Sequence, residues 1–214
     1  MNRLFIRSIA AFLVIFGSHT KLLKSTACAA SCPDFIKVNE APGASQPTPL
    51  GIPLGATRAQ VESLFEAAKI PRVSGDSDVD IYREPPAKIA NAGQVYLSFY
   101  QGQLAQIICL IDVESQEADP YVQRYEELKQ ALTEKYGRAV KSREYVDPTY
   151  RDHLLLAIKT GKASYWSFWK AGDMDVSLGL LGDNYKTEFA LYYRYRTLSE
   201  KLDRDKKQAE KNRL

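Results

Sequence analysis

Residues 95–100 and 103–113 are rich in β-branched and aromatic side chains, and only Gln101-Gly102 separates them. That arrangement predicts an antiparallel hairpin. An isolated hairpin is barely stable in water, so further strands or a helix must cover its apolar face. The chain supplies both. Strand patterns recur at residues 79–83, 141–146, 154–159, 164–170, 173–181 and 187–196, and two stretches have helical spacing. The predicted fold class is α+β, an antiparallel sheet with helices packed on one face.

The first helix is predicted after Thr57, which forms a capping-box pattern with Gln60. Val61, Leu64, Phe65 and Ala68 then recur on one face until Pro71. The second starts at Asp119 as N-cap with Pro120 in its first turn. Tyr121, Tyr125, Leu128, Leu132 and Tyr136 mark its packing face, and Gly137 stands at the C-terminal cap. Residues 31–54 read as an extended lead-in, with prolines at 42, 47, 49 and 53 interleaved with glycines. The α+β domain spans 55–198, and from Ser199 to 214 alternating charges predict a solvated helix or frayed tail.

Residues 96–102 (YLSFYQG) and 165–172 (YWSFWKAG) echo each other, which suggests two tandem helix-then-strands modules over 55–113 and 119–198. Gly55-Ala56-Thr57-Arg58-Ala59-Gln60-Val61, with the hairpin ending in Gly102-Gln103-Leu104, resembles the opening helix and hairpin of the SmpA/OmlA type of outer-membrane assembly lipoprotein. That family shares its helix-plus-sheet plan with β-lactamase-inhibitor-protein-like modules, which occur in tandem. The resemblance covers the first third of the chain beyond residue 30. It implies an envelope protein that binds other proteins and performs no chemistry. The chain departs from the family in its poor lipobox and in the region after Pro120.

Residues 1–30 have the order of a secretory signal: Arg3 and Arg7, an apolar run over 9–17, then small residues over 25–31. The run is too short to span a bilayer as a helix. Cleavage after Ala29, within Ala27-Cys28-Ala29, predicts a periplasmic or secreted protein, whereas lipidation of Cys28 or Cys32 would anchor it to the envelope. Lys21 and Lys24 are unusual so near a cleavage site. Removing these thirty residues takes four of the 29 basic residues and no acidic one, leaving 25 against 26, a net charge of −1. A cationic, nucleic-acid-binding body is therefore excluded. In an oxidising compartment Cys32 and Cys109 could form a disulfide. Alternatively Cys109, inside the apolar run 107–111, is a small core hydrophobe.

Catalytic chemistry is scarcely represented. His153 is the only histidine after residue 30, and its neighbours Asp147, Tyr150, Arg151 and Asp152 read as a solvated loop. The sequence contains no Walker loop, no dinucleotide glycine pattern after a strand and no His-Glu-x-x-His. Asp76, Asp78 and Asp80 resemble the start of a calcium loop, but its glycine and terminal glutamate are missing, so they read as turn residues. Neither a metal nor a cofactor is expected. Many acidic residues remain, and a hydrolase with a carboxylate pair is the alternative to a binding protein.

The chain carries 13 tyrosines, most of them in predicted strands or helices. Three-residue hairpin loops would turn Leu97, Phe99, Trp166 and Phe168 to the core. The opposite face would then carry Tyr96, Tyr100, Tyr165 and Trp169, joined by Tyr192, Arg194 and Arg196. A two-residue loop would reverse the second hairpin and bury Trp169. A face of Tyr, Trp and Arg has the composition of a protein-interaction hot spot, and its partner would be an envelope or periplasmic protein. It equally suits a sheet stabilised by cross-strand aromatic pairs. The expected function is a non-enzymatic binding or envelope-assembly module, with a soluble periplasmic inhibitor as a variant.

Overall fold

The computed structural model describes residues 47–212, which lie within one compact unit. After a 3-10 turn at Pro49–Gly51 come α1 (Arg58–Ala67), β1 (Arg72–Gly75), β2 (Val79–Tyr82), β3 (Ala92–Tyr100) and β4 (Gln103–Ile111). The second half runs α2 (Asp119–Tyr136), β5 (Lys141–Val146), a 3-10 helix (Pro148–His153), α3 (Leu154–Lys159), β6 (Ala163–Ala171), β7 (Met174–Asp183) and β8 (Lys186–Tyr195). Helix α4 (Arg196–Lys211) follows β8 directly. The signal-like segment, most of the lead-in, Cys28 and Cys32 lie outside the described residues.

All eight strands form one antiparallel sheet in the order β1-β2-β3-β4-β8-β7-β6-β5, which makes this an α+β fold. Each half is a helix followed by a four-stranded meander, and the two last strands, β4 and β8, pair at the centre. The echo of residues 96–102 in 165–172 does not mark equivalent strands. The first lies in β3, the third strand of its half, and the second in β6, the second strand of its half. The hairpin equivalent to β3–β4 is β7–β8. Both turn through two residues with positive φ: Gln101 and Gly102 at 50° and 78°, Asn184 and Tyr185 at 50° and 63°. Such turns match the right-handed twist of paired strands.

Helices α1, α2 and α3 cover one side of the sheet. Thr57 and Gln60 close the capping box, with the Thr57 amide donating to Gln60 Oε1 at 2.8 Å. The box aims Val61 and Phe65 at the sheet, where Phe65 stacks on Tyr82 with ring centroids 3.8 Å apart. Helix α2 begins at Asp119, one residue earlier than a cap there would imply, and Ala118 occupies the N-cap without a side-chain bond. It buries Tyr125, Leu128 and Leu132. The Tyr125 hydroxyl lies 2.8 Å from Ser167 Oγ, which in turn meets Ser142 Oγ at 2.8 Å. This chain satisfies the buried Ser167. Residues 154–159, a strand by pattern, are the short helix α3, which buries Ala157 and Ile158. A Cβ on Gly182 would lie 1.9 Å from the Ile158 carbonyl oxygen, so only glycine admits α3 this close to β7.

Beneath these helices lies a continuous apolar layer. Val95, Leu97, Ile107 and Cys109 meet Leu191, Tyr193, Val176 and Leu178 across the two central hairpins, and all are buried. Cys109 is a buried free thiol of this layer, the core-hydrophobe alternative to a disulfide. One charge is buried there as well. Asp80, fully buried, forms an ion pair with Arg58, its carboxylate 3.2 Å from Nε, and a second with Arg72, tying α1 to the β1–β2 hairpin. Burial pushes its carboxyl up more strongly than the two guanidiniums pull it down. Of the three alternating aspartates, Asp76 is a turn residue whose carboxylate accepts the amides of Asp78 and Val79 at 2.9 Å each.

Candidate interaction face

The side of the sheet away from α1, α2 and α3 follows from the same pairings. A strand alternates its side chains, so every residue between two core positions points to this second face. One row crosses seven strands: Ile81, Tyr96, Ile108, Tyr192, Ser177, Phe168 and Lys141. The next row runs Leu110, Ala190, Gly179, Trp166 and Arg143. Tyr96, Trp166, Phe168, Tyr192 and Leu110 are half-buried, while Ile108 is only 7% exposed between its aromatic neighbours. Cations stand at the β5–β6 margin, with Lys141, Arg143 and Lys170 exposed and Arg143 lying over the Tyr145 ring at 5.1 Å.

Among the described residues, α4 is the helix that reaches this side, and it takes only one end. Leu198 and Ser199 are buried, and the Ser199 hydroxyl donates to the Ala105 carbonyl at 2.9 Å. Tyr100 donates to Asp205 at 2.8 Å, and Arg194 pairs with Asp203 at 2.5 Å. Residues 199–211, expected as a solvated helix or a frayed tail, belong to helix α4, which docks through Leu198 and Ser199 in its first turn and is largely exposed beyond them.

In the row beyond Ala190 and Gly179 stands a carboxylate. Glu188 projects from β8 opposite Leu181, and Tyr192, two pleats further along the same face, donates its hydroxyl to Glu188 Oε1 at 2.5 Å. Burial raises both groups above their ordinary values, and the Glu188 charge lifts the Tyr192 phenol further. Between them Ala190 pairs directly with Gly179, and both are buried.

Tyr96 and Tyr192 stand on this face as the sequence predicted. Tyr100 and Arg194 lie at its edge under α4, and Arg196 is held at the first turn of α4 by Asp175, 2.8 Å away, and by the Gly172 carbonyl at 3.0 Å. Tyr165 and Trp169 are corrections. Both are on the core side, Trp169 fully buried opposite Val176 and Tyr165 opposite Leu180. The β6–β7 hairpin turns in two residues, Gly172-Asp173, with Ala171 paired to Met174 and Gly172 at φ 55°. A one-residue change in loop length moves every side chain of a strand to the other face. Trp166 and Phe168 therefore occupy the places assigned to Tyr165 and Trp169. The dipeptide Gly172-Asp173 was the available signal, because Gly-Asp between two strand patterns marks a two-residue turn. Glu188 had no comparable signal, since its place among aromatics depends on pairing between distant strands.

His153 is exposed at the end of the Pro148–His153 turn. Among the described residues, no group of three or more His, Cys, Asp or Glu is placed to hold a metal ion. Compared with known protein families, with curated proteins and with solved structures, the chain matches none, so the chemistry of this face must speak for its use.

Proposed function

We propose that this protein is an exported, non-enzymatic binding module of the cell envelope that takes a protein partner on the second face of its sheet. The observation that carries the reading is the row Tyr96, Ile108, Tyr192 and Phe168, apolar and aromatic, half-buried apart from the buried Ile108, on the side of the sheet away from α1, α2 and α3. Tyr, Trp and Arg contribute most of the binding energy at protein interfaces, and this face carries the aromatic part of that set. A rigid sheet also presents its side chains without the ordering cost that a loop would incur. The export part of the reading draws on Arg3, Arg7 and the apolar run 9–17, and on the resemblance to SmpA/OmlA-type lipoproteins. Among the described residues, no helix is long and apolar enough to cross a membrane.

The test is affinity capture from the envelope fraction with the wild-type chain and with the double variant Tyr96→Ala, Phe168→Ala. A partner retained by the wild type and lost by the variant is expected, while Gln123→Ala, on the exposed side of α2, retains it. Equal capture by all three chains would overturn the reading.

A further inference from the structure

We infer that the outer edge of β5 takes an extended, acidic segment of a partner protein as a ninth strand of the sheet. This site is separate from the sheet face proposed above, because it rests on backbone groups at one end of the strand order. The two edges of the sheet differ. Strand β1 has four residues and a register irregularity between Arg72 and Ser74, which breaks the row of groups that a neighbouring strand needs. Strand β5 pairs with β6 in unbroken register over its six residues, Lys141–Val146, and all but Val146 are exposed. Just beyond it the Asp147 amide donates to the Lys162 carbonyl at 2.8 Å. Antiparallel pairs alternate, so Lys141, Arg143 and Tyr145 likewise direct their backbone groups to β6, and those of Ser142, Glu144 and Val146 point outward. No loop or turn among the described residues hydrogen-bonds to the backbone of those three.

The side chains at this edge select the arriving strand. Lys141, Arg143 and Tyr145 project on the second face, Lys170 follows Phe168 on the same face of β6, and all four are exposed. Among the described residues none of the three cations has a carboxylate partner. Glu144 is on the other face, paired with Lys129, and Asp175, across from Lys170, is taken by Arg196. A strand with Asp or Glu at alternate positions sets them opposite Lys141 and Arg143, and an apolar residue in the same series meets Tyr145. A second copy of this chain suits the edge less well, because centred antiparallel pairing of two β5 strands sets Arg143 opposite Arg143 or Glu144 opposite Glu144. Strand addition draws its affinity from main-chain hydrogen bonds and its specificity from such side-chain pairs.

The experiment is selection of a displayed random-peptide library on the immobilised full chain, followed by measurement of Kd on the wild type and on the double variant Lys141→Gln, Arg143→Gln. Peptides that bind the double variant about tenfold more weakly are expected, because two exposed charge pairs are lost, and they should carry Asp or Glu at alternate positions. On the wild-type chain these peptides should slow hydrogen exchange about tenfold or more at the amides of Ser142, Glu144 and Val146, with little change at Arg143 and Tyr145, which are already bonded to β6. N-methylation of alternate peptide amides should abolish binding for one set and be tolerated for the other, since only one set faces β5. Acidic peptides that bind yet leave those three amides exchanging as before are held by charge alone, as any polyanion would be, and would overturn strand addition. Concentration-dependent protection of the same amides in the chain without peptide would assign the edge to a second copy and overturn it as well. If no selected peptide is sensitive to the double variant, the edge inference fails; peptides lost instead with Tyr96→Ala, in the other half of the sheet, would leave the use of the face standing.

Discussion

Trp166, Phe168 and Trp169 separate the two sides of the sheet within four residues, so truncating them one at a time gives sharply different outcomes. Trp169 is fully buried opposite Val176 under the helices, while Phe168 is half-buried on the second face. Removing a fully buried tryptophan forfeits its transfer energy and leaves a cavity, about 3–5 kcal/mol in total. At ~2–4 °C per kcal/mol for a domain of this size, Trp169→Ala should lower Tm by roughly 6–20 °C. Phe168→Ala loses cross-strand contacts worth about 0.2–1 kcal/mol and should move Tm by no more than a few degrees. Trp169→Phe discriminates further. The Trp169 indole Nε1 is buried without a hydrogen-bond partner, so phenylalanine removes an unsatisfied donor together with part of the ring. The gain offsets part of the lost packing, and the cost should fall well below that of alanine. Thermal unfolding followed by far-UV circular dichroism reads all three. Equal Tm losses for Phe168→Ala and Trp169→Ala, or a larger loss for Phe168→Ala, would refute the register of the β6–β7 hairpin and the choice of face derived from it.

Other perturbations test separate parts of the structure. Burial raises the folded-state pKa of Glu188 above its unfolded value, so its contribution favours folding at low pH and is lost as pH rises through the folded value. Glu188→Gln should therefore gain stability relative to wild type as pH is raised from 4 to 7 in denaturant titrations; an unchanged difference would deny the burial. Burial pushes the Cys109 thiol up to about 12, and the native chain should resist iodoacetamide at pH 8 while the denatured chain is alkylated at once. Gly182→Ala forces a methyl against the Ile158 carbonyl and should cost about 1–3 kcal/mol in chemical denaturation, through displacement of α3.

Several elements were legible in the sequence because local chemistry and tertiary packing agree there. Helix α1 is an example, since its capping box, its apolar spacing and the buried pair Val61 and Phe65 all specify one helix in one orientation. The β3–β4 hairpin has its two-residue turn, and an irregularity between Ser98 and Phe99 on β3, opposite Gln106 and Leu104, keeps Leu97 facing Ile107 as a three-residue loop would. Strand β1 could not be read. Its four residues are all exposed at the sheet edge, and they pair only because β2 offers backbone groups. Residues 154–159 form an apolar run too short for its period to distinguish helix from strand, and the choice is made by docking against Gly182. The aromatic face was foreseen in kind but with the wrong members from β6, because one loop residue decides which of two adjacent aromatics is buried.

The central claim is that the second face of the sheet meets a protein in the cell. Site-specific replacement of Phe168 by a photo-crosslinking phenylalanine analogue, with the same analogue at Gln123 as control, tests it in living cells that produce the full chain. Irradiation should give a discrete crosslinked product of defined mass from position 168 and none from position 123. Crosslinks of equal yield and pattern from both positions, or none from position 168, would contradict it.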